Sequence, residues 1–404
     1  MERCDALAAF TEDEGALTRR FATPALRDAS DAVRDWMAAA GMSVREDAAG
    51  NLIGTYGGSD PSAGTLMLGS HLDTVRDAGR YDGALGVLVA IGAVARLAAV
   101  GERLPFALEV YAFSDEEGTR FGTAYLGSAA VAGGFDKAWL ARRDGEGTTM
   151  AEALRAYGCD PEAVAAARRD AGGLIGYVEV HIEQGPVLER AGAPVGVVDA
   201  IAGQTRWDVR LHGRAGHAGT VPMDARRDAL CAAAELVLAV EAAGRTRPGL
   251  VATVGELEAF PGASNVIPGA VRLSVDVRHG DDAARREALA SLEAEAQRIA
   301  AGREVELVTV PRFEHDAVRC SPELVAALDR AVSARGVEPL RLVSGAGHDA
   351  VQLAALAPVG MLFVRCAGGV SHDPAESVAE EDVEVALDVL GELLAGLAGD
   401  RKPA

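Results

Sequence analysis

Apolar and polar positions along the chain follow two rhythms. Leu26, Ala29, Val33, Trp36 and Met37 recur at helical spacing and predict a helix over residues 22–40. Short apolar runs predict buried strands at 65–70 (TLMLGS), 106–113 (FALEVYAF), 176–182 (GYVEVHI) and 359–366 (VGMLFVRC). Longer stretches predict helices at 84–99, over SPELVAALDRAVSARG after residue 320, and at 380–397. Strands alternating with helices imply a layered α/β sheet.

Residues 204–320 keep a rhythm of their own. They read strand (205–212), helix (223–243), strand (250–258), strand (270–278), helix (282–301), strand (304–310). That β-α-β-β-α-β order is a complete ferredoxin-like unit. The expectation is a second domain at 204–320 inserted into a first domain made of 1–203 and 321–404, with hinges near Gly203 and Ser321.

Composition narrows the function classes. A chain of 404 residues, 49% hydrophobic, exceeds one ordinary core, in keeping with two domains. Its net charge of -21 offers no clustered positive groove for nucleic acid. Five scattered cysteines with no C-x-x-C pair argue for a reducing compartment rather than a disulfide framework. The acidic first residues predict no signal peptide. The apolar run 84–100 is interrupted by Arg96 and predicts a buried helix, not a membrane span. A soluble, cytoplasmic protein without membrane or nucleic-acid partners is expected.

The polar residues that matter stand just beyond the predicted strands. GSHLDTV places His71 and Asp73 after the first, and FSDEEGTRFG places Asp115, Glu116 and Glu117 after the second. EVHIEQGP places His181, Glu183 and Gln184 at the end of the third; GGVSHDPAE places His372 and Asp373 after the fourth. Asp82, in GRYDGALG, opens the helix at 84–99. Open α/β sheets carry their sites at the carboxyl ends of strands. Singly, each motif reads as a hydrogen-bonded histidine or a solvated turn. Together, three histidines and two carboxylates supply a mixed nitrogen and oxygen site for two divalent ions, with no thiolate near it. Paired ions lie roughly 3.5–4 Å apart, need a bridging ligand and lower the pKa of a shared water toward ~7. Asp82 is the natural bridge. His71 and His181 would complete one ion, Glu117 and His372 the other. Glu116 would face the water as general base, and Asp73 would accept the second imidazole N–H of His71. The inserted segment adds Arg206, His217 in GRAGHAGTVP, Asn265 in GASNVIPG, and Arg278. Alone, the two arginines read as surface residues; His217, in a Gly-rich turn, reads as a positioned donor.

As an ordered set, GSHLDTV, GRYDG, FSDEEGTRFG, EVHIEQGPVLE, GHAGTVPM, SNVIPG, SGAGHDA and GGVSHDPAES resemble the hydantoinase/carbamoylase-type amidases of the dinuclear aminopeptidase/aminoacylase superfamily. The resemblance runs from about residue 10 to 395, and HIEQGP separates this branch from the peptidases. It implies a metallo-aminopeptidase-like catalytic domain, with a ferredoxin-like lid that forms a homodimer. It implies Zn or Mn, or else Co or Ni, at His71, Asp82, Glu117, His181 and His372, and a base at Glu116. It implies substrate contacts at Gln184, Arg206, His217, Asn265 and Arg278, with His217 supplied by the partner subunit. One departure is visible: SHDPAE carries Asp373 where Asn often follows the histidine. The substrates it implies are ureido carboxylates. TVRDAGRYDG and AIAGQTRW look most like members assigned to allantoate. The alternatives are an N-carbamoyl-L-amino acid hydrolase or β-ureidopropionase, a peptidase or aminoacylase, and a catalytically silent metal- or amino-acid-binding protein. Retention of Glu116 with all five ligands argues against silence.

Overall fold

Strands buried on both faces read as unbroken apolar runs, and four such runs form the middle of the larger sheet. The structure, a computed structural model, describes residues 1–400, which fall into two units. Unit 1 comprises Met1–Asp199, Cys320–Leu342 and the chain from Gly347 onward; unit 2 comprises Ala200–Arg319 and Val343–Ala346.

The first six strands are β1 (Ser43–Glu46), β2 (Leu52–Tyr56), β3 (Thr65–His71), β4 (Ala107–Phe113), β5 (Leu174–Ile182) and β6 (Val195–Ile201). Unit 2 contributes β7 (Gly203–His212), β8 (Gly216–His217), β9 (Val251–Thr253), β10 (Leu257–Phe260), β11 (Val266–Ile267), β12 (Ala270–His279), β13 (Glu306–His315) and β14 (Val318–Arg319). The last two are β15 (Arg341–Ser344) and β16 (Val359–Val364). The larger sheet runs β1-β2-β4-β3-β5-β16-β6 and continues to β14, with β15 also on β6. Its central strands β4, β3, β5 and β16 are mutually parallel neighbours. All their carboxyl ends therefore lie along one edge. In β16 every residue is buried. The helix Ala84–Ala99, whose residues are mostly buried, starts straight after the loop that carries Asp82.

Unit 2 orders its sheet β10-β12-β7-β13, with β9 also on β12. This is the antiparallel arrangement of a β-α-β-β-α-β unit. The helices Ala229–Thr246 and Asp282–Gly302 share one core with the sheet, built from Val209, Leu211, Leu236, Leu273 and Leu292 among others. Alternation along β12 puts Val271, Leu273, Val275 and Val277 into that core and leaves Arg272, Ser274, Asp276 and Arg278 on the other face.

Several boundaries differ from expectation. The helix expected at 223–243 begins at Ala229, because Asp228 caps it by accepting from the amides of Leu230 and Cys231. The strand expected at 250–258 is two pieces, β9 and β10. Val343–Ala346 goes with unit 2: the Ala202 amide donates to Ser344 O at 2.8 Å, and Arg278 donates to Gly345 O at 2.7 Å. Among the described residues no helix is long and apolar enough to cross a membrane.

Candidate active site

The four parallel strands deliver four groups of polar side chains to one edge of the sheet. His71 is the last residue of β3, and His181 stands one residue before the end of β5. Glu116 and Glu117 follow β4, and His372 follows β16. Asp82 precedes Gly83, the N-cap of the helix Ala84–Ala99. Gly83 has φ +64, and a Cβ there would lie 2.4 Å from the His71 ring. Only glycine gives both that backbone and that clearance.

Ligand atoms of His71, Asp82 and His181 lie within 4.8 Å of one another, as do those of Asp82, Glu117 and His372. The two groups share Asp82. A third such group joins His71, Glu116 and Glu117. His181 Nε2 is 3.3 Å from Asp82 Oδ1, and His372 Nε2 is 3.1 Å from Asp82 Oδ2 and 3.3 Å from Glu117 Oε1. His181 Nδ1 lies 2.9 Å from Ile182 O and His71 Nδ1 lies 3.0 Å from Asp73 O. Each carbonyl accepts the Nδ1 proton and leaves Nε2 as the donor atom. Imidazole nitrogens and carboxylate oxygens without a thiol fit a divalent ion of the zinc or manganese type.

The electrostatics follow from crowding these groups where His71, Asp82, Glu116 and His181 are buried and His372 alone is exposed. Burial would raise the Asp82 carboxyl, but the His372 hydrogen bond and the His181 and His71 rings outweigh it and hold it below the usual range. His372 is pushed up to about 10 by its contacts with Asp82 and Glu117. Burial lowers the His181 ring to about 4. Burial and the neighbouring Glu117 raise the Glu116 carboxyl well above its ordinary value.

The Asp73 carboxylate lies 3.5 Å from His71 Nδ1, with its own carbonyl nearer that nitrogen at 3.0 Å. It also accepts from the backbone amides of Glu116, at 2.9 Å, and Glu117, at 3.1 Å. Asp73 thus ties the loop after β3 to the loop after β4. Asp373 turns its carboxylate onto the Ala375 amide at 2.8 Å, a contact within its own loop.

Gln184 stands among the candidate ligands: its Nε2 donates to Asp82 Oδ1 and Ser371 Oγ, both at 3.1 Å, and lies 3.3 Å from His372 Nε2. Gln184 and His372 both have left-handed backbone, φ +58 and +57, a conformation that concentrates at working sites. In unit 2, β8 pairs with β11, and Asn265 O accepts from the Ala218 amide at 3.0 Å, which brings His217 and Asn265 together. The Gly219 amide donates to His217 Nδ1 at 3.0 Å, so the neutral ring carries its proton on exposed Nε2. Arg206 and Arg278 form a separate group around Asp276.

Three supporting residues escape the sequence reading. Buried Glu376 accepts from the amides of Tyr81, at 2.8 Å, and Asp82, at 3.1 Å, and lies 3.2 Å from Ser371 Oγ. One carboxylate so joins the Asp82 and His372 loops. A Cβ on Gly79 would lie 2.2 Å from it. Its only signal is a place in GGVSHDPAES. Arg19, fully buried, donates to Leu72 O and Leu7 O, both at 2.7 Å, and braces the loop before Asp73. Buried Glu179 accepts from Ser70 Oγ at 3.0 Å beneath His71.

A parallel-sheet edge carrying this donor set, with a buried carboxylate beside it, fits a metal-dependent hydrolase, and the relatives of the chain make it an amidohydrolase, acting on carbon–nitrogen bonds. Residues 67–396 match peptidase family M20/M25/M40, and the chain belongs to that family. It is 43% identical to a probable allantoate deiminase of Oryza sativa subsp. japonica, over 94% of this chain and 84% of that one. It is also 43% identical to the N-carbamoyl-L-amino acid amidohydrolase of Geobacillus stearothermophilus, over 94% and 93%. A hydantoinase/carbamoylase family amidase from Burkholderia multivorans superposes with a TM-score of 0.93 at 33% identity, covering 100% of this chain and 97% of that one.

Proposed function

We propose that the protein hydrolyses the ureido C–N bond of a small carboxylate, and that its substrate is allantoate, converted to ureidoglycine, ammonia and carbon dioxide. The observation that carries the reaction class is the pair of ligand groups sharing Asp82, with Glu116 in the adjoining group. When bound, two divalent ions, zinc or manganese, would polarise the ureido carbonyl and acidify a water. Glu116 accepts the proton of the attacking water and passes it to the departing nitrogen, so the C–N bond breaks without an unsolvated amide anion. His217 Nε2–H donates to the oxygen that gains charge. Gln184 and Asn265 hold the ureido group. Arg278, with Arg206, takes the carboxylate. Unit 2 serves as lid and homodimer contact, and the enzyme works in the cytoplasm, where its five free thiols would persist.

A second reading, hydrolysis of N-carbamoyl-L-amino acids, is supported by the equal identity to the Geobacillus stearothermophilus amidohydrolase. The phrases TVRDAGRYDG and AIAGQTRW support allantoate. The test is ammonia release by metal-loaded enzyme from allantoate and from a panel of carbamoyl amino acids. Faster turnover of any carbamoyl amino acid at equal concentration replaces the first reading with the second. No turnover of either class with zinc, manganese, cobalt or nickel sinks both.

A further inference from the structure

The face of the unit 2 sheet opposite its helices holds a cavity of about 540 Å³ lined by Arg206, Asp276, Arg278, Arg312 and others. One carboxylate organises it. Asp276 faces Arg206 across the β12–β7 pairing. Its Oδ2 accepts from Arg206 Nε at 2.7 Å and from Arg278 Nη2 at 3.2 Å, and its Oδ1 accepts from Arg278 Nε at 2.9 Å. Gln204 donates to the same Oδ2. Arg278 Nη1 donates to Gly345 O. A guanidinium has five N–H groups, so these bonds leave Arg278 one on each terminal nitrogen. Arg206 has only Nε engaged by Asp276.

Two cations held to one anion leave a net charge of +1 in the Arg206–Asp276–Arg278 group, the complement of a single carboxylate. Free arginine side chains are costly to order, and a guanidinium already gripped along its Nε edge loses less on binding. We infer that Asp276 is a positioning residue that fixes Arg278, and Arg206 with it, to receive the one carboxylate of the substrate. The inference rests on the reading of Arg278 as the carboxylate's partner. Asp276 touches no substrate and acts through the arginines. A surface ion pair that serves the sheet alone would be worth little and would not separate binding from turnover.

The test is a double-mutant cycle on the full-length, metal-loaded enzyme, with KM and kcat measured on the ureido carboxylate it turns over best. Arg278→Ala is expected to raise KM. Asp276→Ala is expected to raise KM about tenfold, as contacting residues couple, with kcat changed by less than about twofold. In the Arg278→Ala background the same Asp276 substitution is expected to raise KM by much less than it does alone, the remainder acting through Arg206. Should Asp276→Ala fail to fold, Asp276→Asn keeps the shape, removes the charge, and is read by the same signs. If Arg278→Ala has wild-type KM, the carboxylate reading of Arg278 fails and the positioning role with it. If Arg278→Ala raises KM and the Asp276 variant does not, or if the two rises multiply in the double variant, the positioning role alone is overturned.

Discussion

The polar residues of unit 1 and those of unit 2 are held in opposite ways. His71, Asp82, Glu116 and His181 are buried; backbone carbonyls hold the two rings, and the carboxylates of Glu376 and Asp73 hold the backbone amides of Asp82 and Glu116. His217, Asn265 and Arg206 are exposed, and they fall into two groups, His217 with Asn265 and Arg206 with Arg278. Burial raises every electrostatic interaction and demands complete hydrogen bonding, which suits groups that hold a charge centre still. Exposure leaves N–H groups available to something that arrives. On the proposed function, the contrast puts metal binding and proton transfer in unit 1, and the oxyanion donor and carboxylate contacts in unit 2.

The strongest way to break that division is Glu116→Gln. It keeps the shape and removes the proton acceptor, so kcat should fall by at least ~10²–10⁴ while bound metal stays near wild type. Near-wild-type kcat with full metal would remove Glu116 from the chemistry. Next in size is His217→Ala, where loss of one donor to a developing oxyanion should cost about 10²–10³ in kcat. This variant also sharpens the comparison. When it is unfolded and refolded with Glu116→Gln, half of randomly paired dimers are mixed, and activity should return to about a quarter of wild type if His217 serves the partner's site. Mixed dimers without recovered activity would show that His217 acts within its own chain.

A smaller effect is expected from Glu376→Ala, which unties the Asp82 and His372 loops. Metal affinity should fall about 10–100-fold, read by chelator competition, and Glu376→Gln should restore most of it. Unchanged affinity in the alanine variant would reduce Glu376 to a packing residue. The smallest effect belongs to Arg278→Lys, which keeps the charge and loses the planar fork. KM should rise by roughly tenfold with kcat nearly unchanged, and a fall in kcat at constant KM would move Arg278 into the chemical step.

How far the sequence exposes this depends on where each side chain's partner lies. The strands under His71, Glu116, His181 and His372 are legible because parallel central strands are predominantly apolar and end abruptly in polar loops. β1 escapes: SVRE is exposed or half-buried throughout and has no apolar face to read. β2 is short and broken by a glycine, LIGTY. The start of the helix at Ala229 is set by a cap six residues after Pro222, while the apolar spacing runs on upstream. Asp73 lies two residues from His71 in sequence, which favours pairing them. Its carboxylate does lie beside that ring, but it also meets amides more than forty residues away, which the local spacing cannot show. Glu376, Arg19 and Glu179 look like ordinary surface charges in a sequence, since nothing local shows that a charge is buried. Their partners are backbone groups and hydroxyls of distant loops.

The clearance at Gly83 bears on how such an enzyme can change. Any side chain there would strike the His71 ring, and any at Gly79 would strike Glu376, so these two positions of the loop carrying Asp82 tolerate almost no variation. The His217 turn and the Arg206–Arg278 face have no comparable lock on the metal ligands, since they belong to a unit with its own core. If unit 2 reads the substrate as proposed, a lineage or a directed library can explore new substrates through it while positions 79 and 83 stay fixed. Mutational tolerance should drop sharply at those two positions and stay broad over the exposed face of β12.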